Sequence, residues 1–350
     1  MRNPLVLSLL YGGASTLFSA CGATTPAETV PSDTVSASSP PRSARYEVHE
    51  WGLVDVGRDG VVELAAGPGQ ANAAATAPYP GPTPGHPPAA TRKPVLYFHL
   101  LEGEVQVSVG ARMTYGSMLE RFPAAPLAGP SVVWEQVQVV QRACGDTTYP
   151  SAGSSGCQGI ADGYCESAEL ALYESSDASC LVVGGRDYNH LFYRGGGRGL
   201  SLPISVSSTA TSATLTNSSA YAIPYALWVS DGRADASRDR RADRMAEPTP
   251  VVNIRRFGRV PGGTSAEVRE SISVESAVSA VRAELGLLGL TSGETQAFMN
   301  AWERAVLRAP NVGTAVVYLL PPELVDAVST LDLTPAPVTT RRAMMVRVEL

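Results

Sequence analysis

Short runs in which apolar and polar side chains alternate constrain this chain more than any other feature. In Val105-Gln106-Val107-Ser108-Val109 every second residue is a valine, the period of a strand with one buried face. Ser131 to Arg142 repeats the idea, with Val133, Val137 and Val139 expected on one face and Trp134 with neighbouring glutamines on the other. Tyr46 to Val56 reads as a strand that Gly57-Arg58-Asp59-Gly60 turns back into Val61-Val62-Glu63-Leu64. Pro94 to Leu101 leads through Glu102-Gly103 into the valine run, and a second hairpin is expected there. Leu181 to Val183, Leu191 to Tyr193, Leu200 to Ser207, Ala213 to Thr216 and Ala222 to Val229 are further short strands separated by Ser, Thr, Asn and Gly turns. Strands at this spacing predict a mostly antiparallel, sandwich-like body over 46–260.

The period changes late in the chain. Val274, Ala277, Val278, Val281, Leu285 and Leu288 recur at helical spacing, and Gly289 closes the segment. Thr291-Ser292-Gly293-Glu294 then has the form of a capping box, in which the threonine hydroxyl and the glutamate carboxylate each satisfy a free backbone N–H. Ala297, Phe298, Ala301, Trp302 and Ala305 share one face of a second helix that ends before Pro310. An αα-hairpin followed by strands at Thr314–Leu320 and Met344–Leu350 is therefore expected over 261–350, on the same core as the strands before it. In the last strand Met344, Val346, Val348 and Leu350 alternate with Met345, Arg347 and Glu349, which predicts one buried face. Strands, then helices, then strands make the chain α+β.

The first twenty residues do not belong to that body. Arg2, an apolar stretch from Pro4 to Phe18 and the small pair Ser19-Ala20 read as a cleavable export signal, too short and too interrupted to span a bilayer. Residues 21–45 are mostly Thr, Ser, Ala and Pro, a composition expected to act as a flexible tether. Residues 65–94 contain eight prolines and are expected to form a disordered loop. Asp231 to Glu247 carries charges of both signs that nearly cancel, as in a solvated loop.

Export bears on the cysteines. Five in an oxidising compartment leave an odd thiol unless one is used otherwise. With Cys21 set aside, Cys144, Cys157, Cys165 and Cys180 remain within 144–180, where two disulfides of unassigned pairing are expected. A zinc site is the competing reading, but no Cys-x-x-Cys pair occurs. The formal charge is −6, and loss of Arg2 with the leader leaves 26 basic against 33 acidic side chains, or −7. That balance excludes a nucleic-acid partner.

Leu17-Phe18-Ser19-Ala20-Cys21-Gly22 resembles the lipobox of bacterial lipoproteins, with phenylalanine where leucine is usual. The resemblance implies acylation of Cys21 and, because Gly22 is not the aspartate of inner-membrane retention, the outer rather than the inner membrane. Val48-His49-Glu50-Trp51-Gly52, Lys93-Pro94-Val95-Leu96-Tyr97-Phe98, Leu191-Phe192-Tyr193-Arg194-Gly195, the helix with Trp302 and Tyr318-Leu319-Leu320-Pro321 resemble an uncharacterised family of exported bacterial proteins. The likeness spans most of the chain after the leader and implies no activity.

Candidate chemistry is sparse. His49, His99 and His190, the last near Asp187, are a potential set of imidazole ligands for zinc or copper if three strands converge. Scattered histidines are as readily structural, and Glu50 must face away from His49 on the same strand. Arg194 and Arg198 flank Gly195-Gly196-Gly197, a pattern open to an anion nest or to a plain strand-to-strand turn. No Gly-x-Ser-x-Gly elbow occurs. The expectation is an envelope lipoprotein, held to the membrane by its N-terminal lipid, with a non-catalytic binding, adhesion or structural role toward an envelope protein or glycan, and no cofactor. The alternative is a zinc- or copper-dependent envelope hydrolase using His49, His99 and His190.

Overall fold

The computed structural model describes residues 45–57, 62–65, 94–145, 147, 149, 170–209, 211–231, 252–308 and 313–350. The leader, Cys21, the tether up to residue 44, residues 66–93, Cys157, Cys165 and most of the charged run lie outside them.

β1 (Arg45–Val56) and β19 (Thr339–Glu349) are the first and last described strands, and they pair side by side in parallel from Glu47↔Thr339 to Val56↔Val348. The other edge of β1 is shared. β3 (Val95–Glu102) pairs with its first half, and β2 (Val62–Ala65) returns as the expected hairpin along its second half. β10 (Leu191–Gly197) joins both, and β5 (Ser117–Phe122) pairs with β10. Beyond β19 the sheet continues through β17 (Thr314–Leu319), β13 (Ile223–Asp231), β14 (Val252–Val260) and β16 (Ser271–Ile272), ten strands in all.

A second sheet has the order β18 (Ser329–Thr334), β4 (Val105–Met113), β7 (Ser131–Val140), β8 (Cys180–Val183), β9 (Arg186–Tyr188), with β6 (Leu127–Ala128) on β7. A third contains β11 (Ile204–Ser208), β12 (Ala213–Asn217) and β15 (Thr264–Glu267). One face of the large sheet packs against these two through Val48, Val54, Leu96, Phe98, Val107, Val109, Trp134 and Leu215. Its other face packs against the helices through Trp51, Leu53, Tyr97, Leu227, Val317 and Met345. The chain is thus an α+β fold with a mostly antiparallel, sandwich-like body.

α1 (Val274–Leu287) and α2 (Ser292–Trp302) form the αα-hairpin. Ser273 caps α1 by accepting from the Ser276 N–H, and the Thr291–Glu294 capping box starts α2. Ala277, Val281, Leu285, Ala297, Phe298, Ala301 and Trp302, the apolar stripe, are buried against the sheet. Because β17 and β19 lie between β1 and β13, residues 261–350 belong to the same body as the strands before them.

Three expectations change. β3 and β4 do not pair: the chain crosses at Glu102-Gly103-Glu104 from the large sheet to the second, so their apolar faces meet across the core. In β7, Trp134 is buried with Val132, Val137 and Val139, whereas Val133 is exposed. Gln136, with φ of 55°, sits where the pairing with β4 slips between Val107 and Val109, and this bulge reverses which face the later residues take. Finally, β19 is buried on both faces. Met344 enters one core and Met345 the other, and Arg347 lies 3.3 Å from the buried Asp55 carboxylate.

Candidate functional site

Alternation along β1 sends His49 and Glu50 to opposite faces of the large sheet. Glu50 faces the sandwich core, where Tyr193 donates its hydroxyl to Oε1 at 2.6 Å and the Arg342 Nε donates to Oε2 at 2.5 Å. Arg342 also donates to the Ser329 carbonyl and hydroxyl, both at 2.9 Å. Glu50 is therefore a structural ion-pair partner, and with Tyr193 and Arg342 it ties β1, β10 and β19 to the start of β18.

His49 faces the helices. In the β1–β3 ladder His99 stands opposite Glu47, so His99 and His49 are diagonal neighbours on one face, with ring centroids 4.4 Å apart. Above them sits the start of α2. Glu294, the third residue of that helix, is fully buried and accepts the Thr291 N–H at 2.8 Å in the capping box. Its Oε2 also accepts from His49 Nδ1 at 2.9 Å, and its Oε1 from His99 Nε2 at 2.7 Å. Burial alone would raise the Glu294 carboxyl, but hydrogen bonds from His49 and His99 outweigh it and hold the group down at about 2.

The far nitrogens are as informative. His99 Nδ1 lies 3.1 Å from the Asp177 carbonyl. Both ring nitrogens of His99 thus face groups that only accept, which requires the doubly protonated imidazolium. Accordingly its pKa is raised, the opposing effect of burial being overcome by Glu294. His49 Nε2 is buried and has no hydrogen-bond partner among the described residues, with the Glu47 carboxylate 3.6 Å away. The Asp177 carboxylate accepts from the Ser175 hydroxyl at 2.7 Å and the Gly293 N–H at 3.2 Å, adding a second carboxylate at the positive end of α2. A Cβ at Gly293 would fall 1.8 Å from Asp177 Oδ1, so this approach requires glycine.

His49 and His99 are thus together, but the third member is Glu294 rather than His190. The ligand atoms of these three lie within 4.8 Å of one another. His190 shares their face of the sheet but is fully buried among Tyr97, Phe122, Tyr149, Tyr173 and Phe192, with ring centroids 5.9 to 6.4 Å away. Asp187 does not approach it; that carboxylate pairs with Arg142 and accepts the Gly145 N–H at 2.9 Å. The sequence carries no other signal for Glu294, because the capping box explains it locally.

Arg194 and Arg198 do not share an anion nest. Arg194 is buried in β10 with its Nε 3.5 Å from Glu120, and the intervening glycine backbone pairs with β5 and β2. Glycine is needed there for space, since a Cβ on Gly195 would meet Met113 at 2.5 Å. A disulfide links Cys144 to Cys180, joining the segment after β7 to the start of β8.

No family model matches the chain, and neither does any curated protein. Among solved structures it is similar to the yeast delta-COP-I mu-homology domain, at 6% identity and a TM-score of 0.31, covering 87% of this chain and 96% of that one. The same domain complexed with a WxWxV peptide gives a TM-score of 0.29 at the same identity and coverage. A likeness at this level carries no functional meaning.

Proposed function

We propose that the protein is an exported, lipid-anchored envelope protein with a non-catalytic binding role toward an envelope protein or glycan. The observation that carries the non-catalytic part is the state of Glu294. A general acid or base works best with a pKa near the working pH. Glu294 is instead held at about 2 by three donors, and His99 is clamped between two acceptors. These groups are set to hold charge and position rather than to pass protons to and from a substrate. The hydrolase alternative also needed His190, which lies among aromatic rings. The leader, Cys21 and the Cys144–Cys180 disulfide support the exported half of the reading.

The anchor is tested by intact mass and membrane fractionation. An acylated N-terminus at Cys21, and release from the membrane fraction on Cys21→Ser, are expected; an unacylated chain in the soluble fraction contradicts the reading. For catalysis, the purified protein is assayed on ester, phosphoester, peptide and glycoside substrates beside His49→Ala. Turnover lost in that variant would overturn the non-catalytic role.

A further inference from the structure

We infer that His49, His99 and Glu294 form a site for one divalent transition-metal ion of the zinc or copper class, held through His49 Nδ1, His99 Nε2 and the Glu294 carboxylate. The inference goes beyond the binding role above and is independent of the lipid anchor.

Two imidazoles and one carboxylate are a donor set that such ions favour. The present N–O separations of 2.7 and 2.9 Å are spanned by protons. Around a tetrahedral ion with bonds of about 2.0–2.2 Å, neighbouring donors stand roughly 3.3–3.6 Å apart. From 2.7 and 2.9 Å the two N–O separations therefore open by roughly 0.4–0.9 Å when an ion replaces the protons.

The outer contacts distinguish this site from a plain hydrogen-bonded clasp. A metal-bound histidine usually donates its other ring N–H to a carbonyl or carboxylate. His99 already has that arrangement, with Nδ1 on the Asp177 carbonyl. His49 acquires it on binding: with Nδ1 on the ion, the ring proton moves to Nε2, the nitrogen that is otherwise buried without a hydrogen-bond partner, and faces Glu47. A clasp alone leaves Nε2 with the Glu47 carboxylate at 3.6 Å, beyond hydrogen-bond reach. Glu47 and Glu294 supply negative charge around the ion, and partial exposure of Glu47 and His99 leaves a route from solvent.

The test uses the full-length chain, stripped with chelator, desalted and loaded separately with zinc and copper(II). One equivalent of bound metal, a rise in melting temperature, and copper(II) spin-resonance splitting from two imidazole nitrogens are expected. His86→Ala, which removes a histidine that is not a proposed ligand, should bind as the parent does. His99→Gln should lose one nitrogen from the spectrum and weaken binding at least about tenfold, and the partly exposed Glu47→Gln should weaken it by roughly tenfold. If His99→Gln unfolds, circular dichroism reveals it and Glu47→Gln decides. No stoichiometric metal in the parent, or equal affinity in the parent, Glu47→Gln and folded His99→Gln, would overturn the assignment.

Discussion

Replacing Glu294 by glutamine removes one buried charge while leaving an oxygen able to accept the Thr291 N–H, so the perturbation isolates the charged contacts with His49 and His99 from the cap. The folded carboxyl lies at about 2 against its usual 4.5, a difference corresponding to roughly 3 kcal/mol of stability. Because the folded value is depressed, this contribution is fully present above about 4.5 and is lost as pH falls toward about 2. His99 sets the other limit. Its folded value is raised, so its contribution is present below the ordinary value of 6.5 and disappears as pH climbs through the folded value. The two shifts share the Glu294–His99 contact, which is counted once, and His49 adds to the depression of Glu294. Urea unfolding of parent and Glu294→Gln, each stripped of metal, across pH 2 to 9 should show the parent more stable by about 3 kcal/mol near pH 5.5, with the gap narrowing toward pH 2 and at alkaline pH. A gap constant across the whole range would refute the reasoning, because it would mean that shape rather than charge carries the effect.

Three other perturbations bear on the fold. Gly293→Ala should destabilise by about 1–3 kcal/mol in urea unfolding, since its Cβ cannot coexist with Asp177 at 1.8 Å; a neutral result would mean that the loop moves aside freely. Arg342→Ala takes the guanidinium from the fully buried Glu50, leaving its charge on the Tyr193 hydroxyl, and should cost about 3–5 kcal/mol, which thermal unfolding would register as a large fall. Removing both Cys144 and Cys180 should cost about 2–4 kcal/mol, and non-reducing peptide mapping of the parent should recover the two cysteines linked.

What could be read in the sequence is what local physics decides. The capping box at Thr291 and Glu294, the stripe from Ala277 to Leu285 and the opposed faces of His49 and Glu50 follow from helix and strand periods alone. What escaped depends on contacts distant along the chain. The parallel pairing of β1 with β19 joins residues almost three hundred positions apart, and it is why Met345 and Arg347 are buried although the alternation suggested one wet face. The bulge at Gln136 carries no glycine to announce it, so strict alternation puts Trp134 on the wrong face. In the candidate site, histidines on strands suggested more of the same, whereas the third ligand came from a helix start packed over them. Its only sequence signal was a capping glutamate, which has a sufficient local explanation.

The most direct test of the metal site is a crystal structure of zinc-loaded protein with anomalous data collected at the zinc edge. A single strong peak should lie about 2.0–2.2 Å from His49 Nδ1, His99 Nε2 and a Glu294 oxygen, with His49 Nε2 turned to donate to Glu47. Absence of a peak there, with both histidines still bonded directly to Glu294 at 2.7 to 2.9 Å, would contradict it.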